Sequence, residues 1–397
     1  MTSVLMYSHD TVGLGHARRN RALAYALAQE LPELTGEPVG GLLIAGSPNA
    51  ARDPLPEGWD WFILPGITHG PEGHTPRHLD APMDVVRQLR SLALSAAAAT
   101  FEPDLFIVDR HPWGIDYELE DALYQARMRG SATVLGLRDV LDEPDRVASE
   151  WDRLGDVSRI AETFDEIWLY GDPTVHDART TGELPDILAE KARPTGYLAH
   201  GRPVDRGTPA RTPYVLTLMG GGSDGHELAS VAMRAAIPEG HEHLVITGPQ
   251  MPESDVHRLK MAARRQGGGR VRVEPSAPNV PELIADAAAV MSMCGYNTAT
   301  EILATSTPAL IVPRVERRVE QLLRAEALDR ADAVDVLRPD RLRPEVLSGW
   351  LAFAVSRRVQ RDHIDLDGLH TIAALAASLL KRRSTNRPLT KELANAC

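Results

Sequence analysis

The chain has 397 residues, of which 43% are hydrophobic and 25% charged, and its formal net charge is −12. Because single hydrophobic cores usually stop growing below this length, two domains are expected. The acidic balance argues against a nucleic-acid partner, which needs a basic face, and the two cysteines, Cys294 and Cys397, are too few for a disulfide framework or a cysteine-based zinc site.

The first residues and the apolar segments predict a cytoplasmic protein. Residues 1–4 lack the charged and apolar regions of a signal peptide. The longest apolar stretches have the length of strands or are alanine-rich, and they fall short of the ~20 residues of a membrane-spanning helix. We therefore expect no stable membrane anchor.

The first predicted unit is a strand, a glycine-containing loop and a helix. Residues 4–7 form an apolar run, and residues 19–31 carry apolar side chains at helical spacing. The loop lies within SHDTVGLGHARRN, residues 8–20, and follows the carboxyl end of the strand, where open α/β sheets bind ligands. Gly15 and His16 are therefore candidate site residues.

This loop does not match two common phosphate-binding patterns. A dinucleotide fingerprint needs a third glycine for close packing of helix on strand, but Arg18 follows Gly13 and Gly15 at that position. A P-loop ends in Gly-Lys followed by Ser or Thr, which the segment lacks. The loop instead predicts close approach of backbone to a ligand, with a histidine at a helix start.

Strands and helices alternate along the rest of the first half, which indicates a parallel, doubly wound sheet. The predicted strands are residues 41–45, 61–64, 105–108, 132–137 and 166–170, and an alanine-rich helix covers residues 85–100.

Residues 199–213 are rich in Gly, Pro and Arg without an apolar period, and they predict a linker. Beyond it the alternation restarts, with strands at 214–219, 243–247, 270–274, 289–293 and 308–312 and helices at 280–287 and 299–304. The expected organisation is a first domain of residues 1–198, the linker, a second domain of residues 214–380 and a polar tail of residues 381–397.

Two loops of the second half suit a nucleotide. Residues 220–223, Gly-Gly-Gly-Ser, follow a strand and offer backbone N–H groups beside the next helix, where anions bind. Thr298 or Asn297 is predicted to cap a later helix whose free amides face a diphosphate. Glu301, expected in the first turn of that helix, suits both hydroxyls of a ribose or acts as a capping-box acid. The pair Glu320-Gln321 suits the hydroxyls of a sugar.

These segments together resemble glycosyltransferase family 28, which includes the peptidoglycan lipid-linked N-acetylglucosaminyltransferase. In the second half the resemblance rests on Gly295-Tyr296-Asn297-Thr298, Glu301, Pro308, Pro313-Arg314, Glu320-Gln321 and the loop at 220–223. The first half is similar to a branch of predicted glycosyltransferases through VGLGHARRNRALAYAL, PDLFIVDRHPWG, LRDV, FDEIWLYGDP and TGYL. The resemblance runs from about residue 4 to residue 345.

The resemblance implies a GT-B fold, in which two Rossmann-like, doubly wound parallel-sheet domains face each other across a cleft. The donor, a UDP, GDP or TDP sugar, would lie mostly on the second domain. There Glu301 would bind the ribose, residues 220–223 and 297–298 the diphosphate, and Glu320 and Gln321 the transferred sugar, with residues 276–280 beside the base. The implied donor-binding residues are Gly220, Gly221, Gly222, Ser223, Asn279, Val280, Gly295, Tyr296, Asn297, Thr298, Glu301, Arg314, Glu320 and Gln321.

The acceptor side leaves several alternatives open. His16 falls where related enzymes carry a loop histidine suspected as the general base, while Asp109-Arg110-His111 follows a predicted strand and orients His16, binds the acceptor or supplies the base itself. Arg138-Asp139 ends another strand and either binds the acceptor or pairs internally. The predicted catalytic residues are His16, Asp109 and His111, and the predicted acceptor-binding residues are Gly15, His9, Asp10, Arg110 and Arg138.

No metal site and no cofactor beyond the nucleotide-sugar co-substrate are predicted. His69, His74 and His78 share a loop without an acid or cysteine in register, and residues 142–145 are interpreted as a solvated acidic loop. A histidine that titrates near neutral pH suits the role of base, and glycine loops and helix starts can neutralise a departing diphosphate.

The predicted function is an inverting, metal-independent transfer of a sugar to a small soluble acceptor by a monomer or homodimer. The high alanine and arginine content suggests a GC-rich bacterial genome, in which such enzymes often serve specialised metabolism. Two alternatives remain: a nucleotide-sugar 2-epimerase of GT-B architecture, and a non-catalytic nucleotide-sugar binding protein.

Overall fold

The computed structural model of the chain describes residues 1–9, 15–70, 73–203, 212–265, 269–277, 279–316 and 318–386. Within them lie two parallel β-sheets with helices on both faces. The predicted α/β class with two doubly wound sheets is confirmed.

The first half builds a seven-stranded parallel sheet of order β3-β2-β1-β6-β7-β8-β9, beside a separate antiparallel hairpin of β4 and β5. Its elements are β1 (Thr2–Tyr7), α1 (Gly15–Thr35), β2 (Val39–Ala45), β3 (Trp59–Ile63), β4 (Ile67–Gly70), β5 (Gly73–Pro76), α2 (Met83–Phe101), β6 (Leu105–Asp109), α3 (Glu120–Met128), β7 (Ala132–Arg138), α4 (Pro144–Arg153), α5 (Val157–Thr163), β8 (Glu166–Tyr170), α6 (Asp186–Ala189) and β9 (Ala192–Pro194), with a 3-10 turn at Ala50–Arg52.

The second half builds a six-stranded parallel sheet of order β12-β11-β10-β13-β14-β15. Its elements are β10 (Tyr214–Leu218), α7 (His226–Ala232), β11 (Glu242–Ile246), α8 (Glu253–Arg265), β12 (Val271–Glu274), α9 (Val280–Asp286), β13 (Ala289–Ser292), α10 (Tyr296–Leu303), β14 (Ala309–Ile311), α11 (Glu320–Arg330), β15 (Asp335–Val336), α12 (Pro344–Ala354) and α13 (Gly368–Asn386), with a 3-10 turn at Pro339–Arg341.

The central strands are buried on both faces, which explains why they read as continuous apolar runs. In the first sheet Leu5 of β1 is opposite Leu42 of β2 and Phe106 of β6. In the second sheet Leu216 of β10 is flanked in the same way by β11 and β13. The strand order therefore reverses between β1 and β6 and between β10 and β13, and the loops at these switch points form the ligand crevices of such sheets.

The last helix returns to the first half of the chain. α13 packs along α1, and its Arg382 and Arg383 form ion pairs with Glu166 and Asp165. Ile372 of α13 is fully buried in a core cluster that extends through both sheets. This helix continues beyond residue 380, where the apolar pattern of the sequence suggested that the second domain ends, and residues 387–397 lie outside the described residues.

The chain crosses between the two sheets along two neighbouring segments. Leu198 and Asp367 form an isolated antiparallel bridge, and the N–H of Tyr197 donates to the Asp365 carbonyl at 2.8 Å.

None of the helices in the described part of the chain is both long enough and apolar enough to cross a bilayer.

Candidate functional site

His16 and Asp109 meet where the strand order of the first sheet reverses. The first turn of α1 carries His16, and β6 ends at Asp109. His16 Nδ1 lies 2.7 Å from Asp109 Oδ2, although the two residues are 93 positions apart in the chain. The parallel pairing of β1 with β6 brings them together.

Arg19 determines the charge state of Asp109. Its guanidinium donates to the two carboxylate oxygens at 2.7 and 2.6 Å, and both side chains are buried. Burial alone would raise the pKa of Asp109, but the charges of Arg19 and His16, with their hydrogen bonds, outweigh burial and hold this pKa well below its usual range. Asp109 is therefore ionised at neutral pH.

The ionised carboxylate orients the His16 ring. Because a carboxylate only accepts hydrogen bonds, the proton of the neutral imidazole lies on Nδ1 and the lone pair on Nε2. Arg19 Nη2 also donates to this carboxylate and lies 3.0 Å from Nδ1, so with Nδ1 protonated both groups direct their hydrogens at Asp109 rather than at each other. The His16 side chain is 24% exposed, and an accessible, oriented imidazole of this kind can take a proton from a substrate.

Two further histidines pack against this pair. The ring centroid of His9 lies 4.6 Å from that of His16 and 4.4 Å from that of His111. Burial, followed by neighbouring positive charge, lowers the pKa of both His9 and His111 well below 6.5. Both are therefore neutral at pH 7, and the hydrogen bond of its ring to the Asp109 carboxylate distinguishes His16 from them.

The glycine loop of the second half follows β10, next to the switch point of the second sheet. Gly220 and Gly222 have φ angles of 59° and 94°, which glycine adopts without strain. A Cβ on Gly222 would lie 2.1 Å from the Thr247 carbonyl oxygen, so a side chain cannot be accommodated. A Cβ on Gly220 would lie 3.8 Å from Thr298 Oγ1, which shows that this loop adjoins the start of α10.

Gly295 is the N-cap of α10, so the prediction that Asn297 or Thr298 caps this helix is wrong. Gly295 has the extended backbone of a cap, with φ −65° and ψ 141°, and the helix begins directly after it at Tyr296. The apolar pattern of the sequence indicates a later start, at Ala299. Apart from its two chain neighbours, no atom of the described residues lies within 4 Å of a Cβ built on Gly295. Since first-turn amides have no partner within a helix, this open position suits a phosphate.

Glu301 is a buried carboxylate that an arginine of the first half covers. It lies in the second turn of α10 rather than the predicted first, and its residue is 3% exposed. Its Oε1 accepts a hydrogen bond of 2.8 Å from Arg18, and Arg202 lies 3.7 Å away. Its Oε2 is buried and has no hydrogen-bond partner among the described residues, so it can accept from a ligand hydroxyl.

Asn297 joins the two halves directly. Its Nδ2 donates to the Gly15 carbonyl at 2.9 Å, and Arg202 Nη2 donates to its Oδ1 at 3.2 Å. The start of α10 therefore lies against the start of α1, with His16 one residue beyond the contact. The side-chain amide of Asn297 is engaged by protein groups rather than open to a diphosphate.

Glu320 and Gln321 begin α11 and face different partners. Glu320 Oε1 accepts from Arg314 Nη2 at 2.7 Å, whereas its Oε2 is buried and unpartnered in the part of the chain that is described. Gln321 Oε1 accepts from the backbone N–H groups of Cys294 and Arg314 at 3.2 and 3.3 Å. Gln321 thus ties two loops together, while Glu320 keeps an oxygen for a ligand.

Other predicted donor residues lie around this centre. Tyr296 is buried, and its hydroxyl accepts from the Leu198 N–H at 3.3 Å, so its ring supports the core. Asn279 is the N-cap of α9, which starts with Val280 and packs on α10. Gly221 and Ser223 are exposed in the glycine loop.

Among the residues predicted to bind an acceptor, Arg110 is buried and donates to Glu150 at 2.9 Å. A cavity of about 250 Å³ adjoins it, lined by Arg110, His111, Pro112, Glu150, Trp151, Arg153, Leu154 and Arg318. Arg138 ends β7, and the next residue, Asp139, forms an ion pair with Arg324 of α11. The predicted alternative, a pair between Arg138 and Asp139, is therefore wrong. Asp10 lies outside the described residues.

Sequence reasoning did not find the contacts that join the two halves. Arg324 donates to Asp139 at 2.6 Å with both side chains buried, although the two residues are 185 positions apart. Arg18 and Glu301 are 283 positions apart. Each residue stands beside a predicted motif, but nothing in the local pattern indicates which residue of the other half it meets.

The histidine-rich segment lies apart from this arrangement. His74 is on β5, and its Nδ1 lies 3.7 Å from Asp116 Oδ1. Within the described ranges no group of three or more His, Cys, Asp or Glu side chains is placed to hold a metal ion.

No family model matches the chain. A curated relative is the UDP-N-acetylglucosamine–N-acetylmuramyl-(pentapeptide) pyrophosphoryl-undecaprenol N-acetylglucosamine transferase of Leuconostoc mesenteroides subsp. mesenteroides. It is 31% identical over 100 residues, which are 24% of this chain and 26% of the relative. The match therefore spans about a quarter of each protein.

Solved structures are similar over nearly the whole chain. The glycosyltransferase VinC, solved in complex with DTDP, has a TM-score of 0.58 and 17% identity, covering 99% of this chain and 98% of its own. The UDP-GlcNAc 2-epimerase from Methanocaldococcus jannaschii has a TM-score of 0.59 and 9% identity, covering 95% and 99%. At these identities the likeness shows the fold, which is the predicted GT-B architecture.

Replacing Asp109 by Asn should destabilise the protein at pH 7 and flatten its response to acid. Buried Arg19 would lose its counterion, which costs about 3–5 kcal/mol. Because the folded-state pKa of Asp109 lies below its unfolded value near ~3.9, the stability it supplies is complete above that value and is lost as the pH falls towards the folded pKa. Urea unfolding of both proteins at pH 7 and from about pH 5 to 3 measures this.

The matched control is Asp121→Asn, at an exposed position of α3, which should change stability by less than about 0.5 kcal/mol. An Asp109→Asn protein as stable as the wild type at pH 7 would contradict the ionised, paired state of Asp109.

Proposed function

We propose that the chain is an inverting glycosyltransferase that moves a sugar from a nucleoside-diphosphate sugar to a nucleophilic group of a small-molecule acceptor. One observation carries this proposal: the 2.9 Å hydrogen bond from Asn297 to Gly15 joins the helix start that suits a phosphate to the start of α1, which bears His16. A base and a leaving-group site thus share one cleft.

The proposed reaction is a single displacement at the anomeric carbon of the donor sugar. His16 Nε2 takes the proton of the acceptor nucleophile as that atom forms a bond to the anomeric carbon. The bond from that carbon to the terminal phosphate oxygen breaks on the opposite face, which inverts the configuration and releases the nucleoside diphosphate. Asp109 stabilises the imidazolium, which later returns its proton to solvent.

The second half supplies the donor contacts of the proposal. The amides at the start of α10 and in the loop of Gly220 and Gly222 would receive the diphosphate. The unpartnered oxygens of Glu301 and Glu320 would accept from the ribose and from the transferred sugar, and a ribose on Glu301 would compete with Arg18. Fixed amides and arginines, rather than a metal, would neutralise the leaving group.

The donor nucleotide is proposed to be UDP, GDP or TDP. The curated relative takes its sugar from a UDP donor and VinC was solved with DTDP, so these two nucleotides are the first to test. We also propose a cytoplasmic location and a role in bacterial specialised metabolism. The domain assignment, with acceptor on residues 1–198 and donor on residues 214–380, belongs to the same proposal.

A nucleotide-sugar 2-epimerase is the second candidate, because the Methanocaldococcus jannaschii enzyme has the same fold. The two functions differ in their need for an acceptor. An epimerase converts its nucleotide sugar alone, whereas the proposed transferase releases nucleoside diphosphate in proportion to glycosylated acceptor.

Replacing His16 by Gln should lower turnover by about 100- to 10,000-fold, the usual contribution of a general base. Nucleoside diphosphate affinity should change by less than about threefold, because His16 contacts the acceptor side. Single-turnover release of nucleoside diphosphate measures turnover, and calorimetric titration of the nucleotide measures affinity. Treatment of the wild type with EDTA should leave its rate unchanged.

His257→Gln, at an exposed position of α8, is the control and should behave as the wild type. Full turnover in the His16 variant would exclude this histidine as the base. Loss of nucleotide binding with turnover would show that its role is structural.

Replacing Gly295 by Ala should spare the fold and weaken nucleotide binding. In the described part of the chain, only the two neighbouring residues come within 4 Å of the added methyl group, and the backbone is not left-handed, so stability should change by less than about 1 kcal/mol. A phosphate at the helix start would meet that methyl group, and affinity for the nucleoside diphosphate should fall at least about tenfold, or about 1.4 kcal/mol.

Gly349→Ala is a matched control, since its added methyl group in α12 also meets no described atom within 4 Å beyond the adjacent helix backbone. Equal nucleotide affinity in the two variants would place the diphosphate elsewhere.

A further inference from the structure

Among the described residues, Arg138 is a cation at the cleft that has no ion-pair partner. It is the last residue of β7, at the carboxyl edge of the first sheet, and it is partly exposed. Its Nε is buried without a hydrogen-bond partner, and its guanidinium forms no ion pair with any residue that the structure describes.

The neighbouring arginines each have a carboxylate. Arg19 is paired with Asp109 and Arg324 with Asp139, and all four side chains are buried. Arg110 is paired in the same way with Glu150. These three carboxylates are engaged by other arginines, and none of them forms an ion pair with Arg138 in the described structure.

Positive charge is concentrated around this guanidinium. Burial, followed by the charges of Arg324, Arg110 and Arg19, lowers the pKa of Arg138 to about 9, and Glu320 is the carboxylate that opposes this shift. An unpaired charge with restricted access to water costs folding free energy. A position of this kind is stabilised when an anion arrives from outside the chain.

We propose that Arg138 binds a carboxylate or phosphate group carried by the substrates at the end remote from the nucleotide. The inference rests on the proposed glycosyl transfer and specifies its substrate class. The planar guanidinium fork matches both anions by two parallel hydrogen bonds.

The place of Arg138 distinguishes this site from the diphosphate site. The open helix start at Gly295 and the glycine loop belong to the second half, whereas β7 belongs to the first. Glu320, which acts electrostatically on Arg138, is the residue assigned to the transferred sugar. The anion therefore comes from one of two sources: a uronic acid as the transferred sugar, or an acidic acceptor.

The unliganded protein gives the first test. Arg138→Met removes an unpaired charge but keeps a long apolar side chain, so the unfolding midpoint should stay equal or rise. Arg324→Met, the matched control, removes one partner of a buried ion pair and should lower the midpoint. A clear fall in the Arg138 variant would show a structural role and overturn the proposal.

The second test measures anion preference in the full chain. The sugar arm compares the affinities of the glucuronate and glucose conjugates of the nucleotide for protein without added nucleoside diphosphate. The acceptor arm compares 4-hydroxybenzoate with 4-hydroxybenzamide in protein saturated with the nucleoside diphosphate that binds it, or without nucleotide if none binds. The wild type should prefer the carboxylate about 10- to 100-fold in one arm. Arg138→Gln should abolish that preference, and Arg138→Lys should retain part of it.

The arm that shows the preference identifies the source of the anion. Absence of preference in both arms, or a preference that persists in Arg138→Gln, overturns the inference. A carboxylate preference that depends on Arg138, in a protein that binds no nucleoside diphosphate, would support the anion site and refute the proposed transferase.

Discussion

The buried ion pair between Arg324 and Asp139 is the interaction on which the site depends. Arg324 donates to Asp139 at the end of β7 and also, at 3.0 Å, to the carbonyl of Cys294. Cys294 directly precedes Gly295, the N-cap of α10. One guanidinium therefore holds the helix start of the second sheet against the carboxyl edge of the first. Because breaking one side of such a pair costs about 3–5 kcal/mol, the two switch points remain aligned.

The ionisable groups of the cleft differ in their charge states. Asp109 is kept ionised by Arg19, while His9 and His111 are kept neutral by burial, so His16 is the member of the cluster whose orientation a carboxylate controls. Across the cleft, Glu301 and Glu320 each give one oxygen to an arginine and keep the other unpartnered among the described residues. This division suits a proton transfer on one side and hydroxyl recognition on the other.

The sequence predicts the strands well because parallel strands buried on both faces are apolar throughout, and it predicts that His16 and Asp109 share a sheet edge because both follow such strands. It does not predict the start of α10, since the capping backbone of Gly295 leaves no apolar signal. The contacts Arg18–Glu301 and Arg324–Asp139 depend on how the two sheets face each other, which no local pattern encodes. The return of α13 to α1 is missed for the same reason.

Binding of a nucleoside diphosphate in the cleft is the property to measure first. Thermal unfolding of the full chain with saturating UDP, dTDP, GDP, ADP and NAD measures it. A ligand that binds only the folded state at about 100 times its Kd adds roughly 2.7 kcal/mol of stability. We expect one of the nucleoside diphosphates UDP, dTDP or GDP to raise the unfolding midpoint, and NAD to leave it unchanged. Stabilisation by NAD alone, or by none of the five, would contradict this expectation.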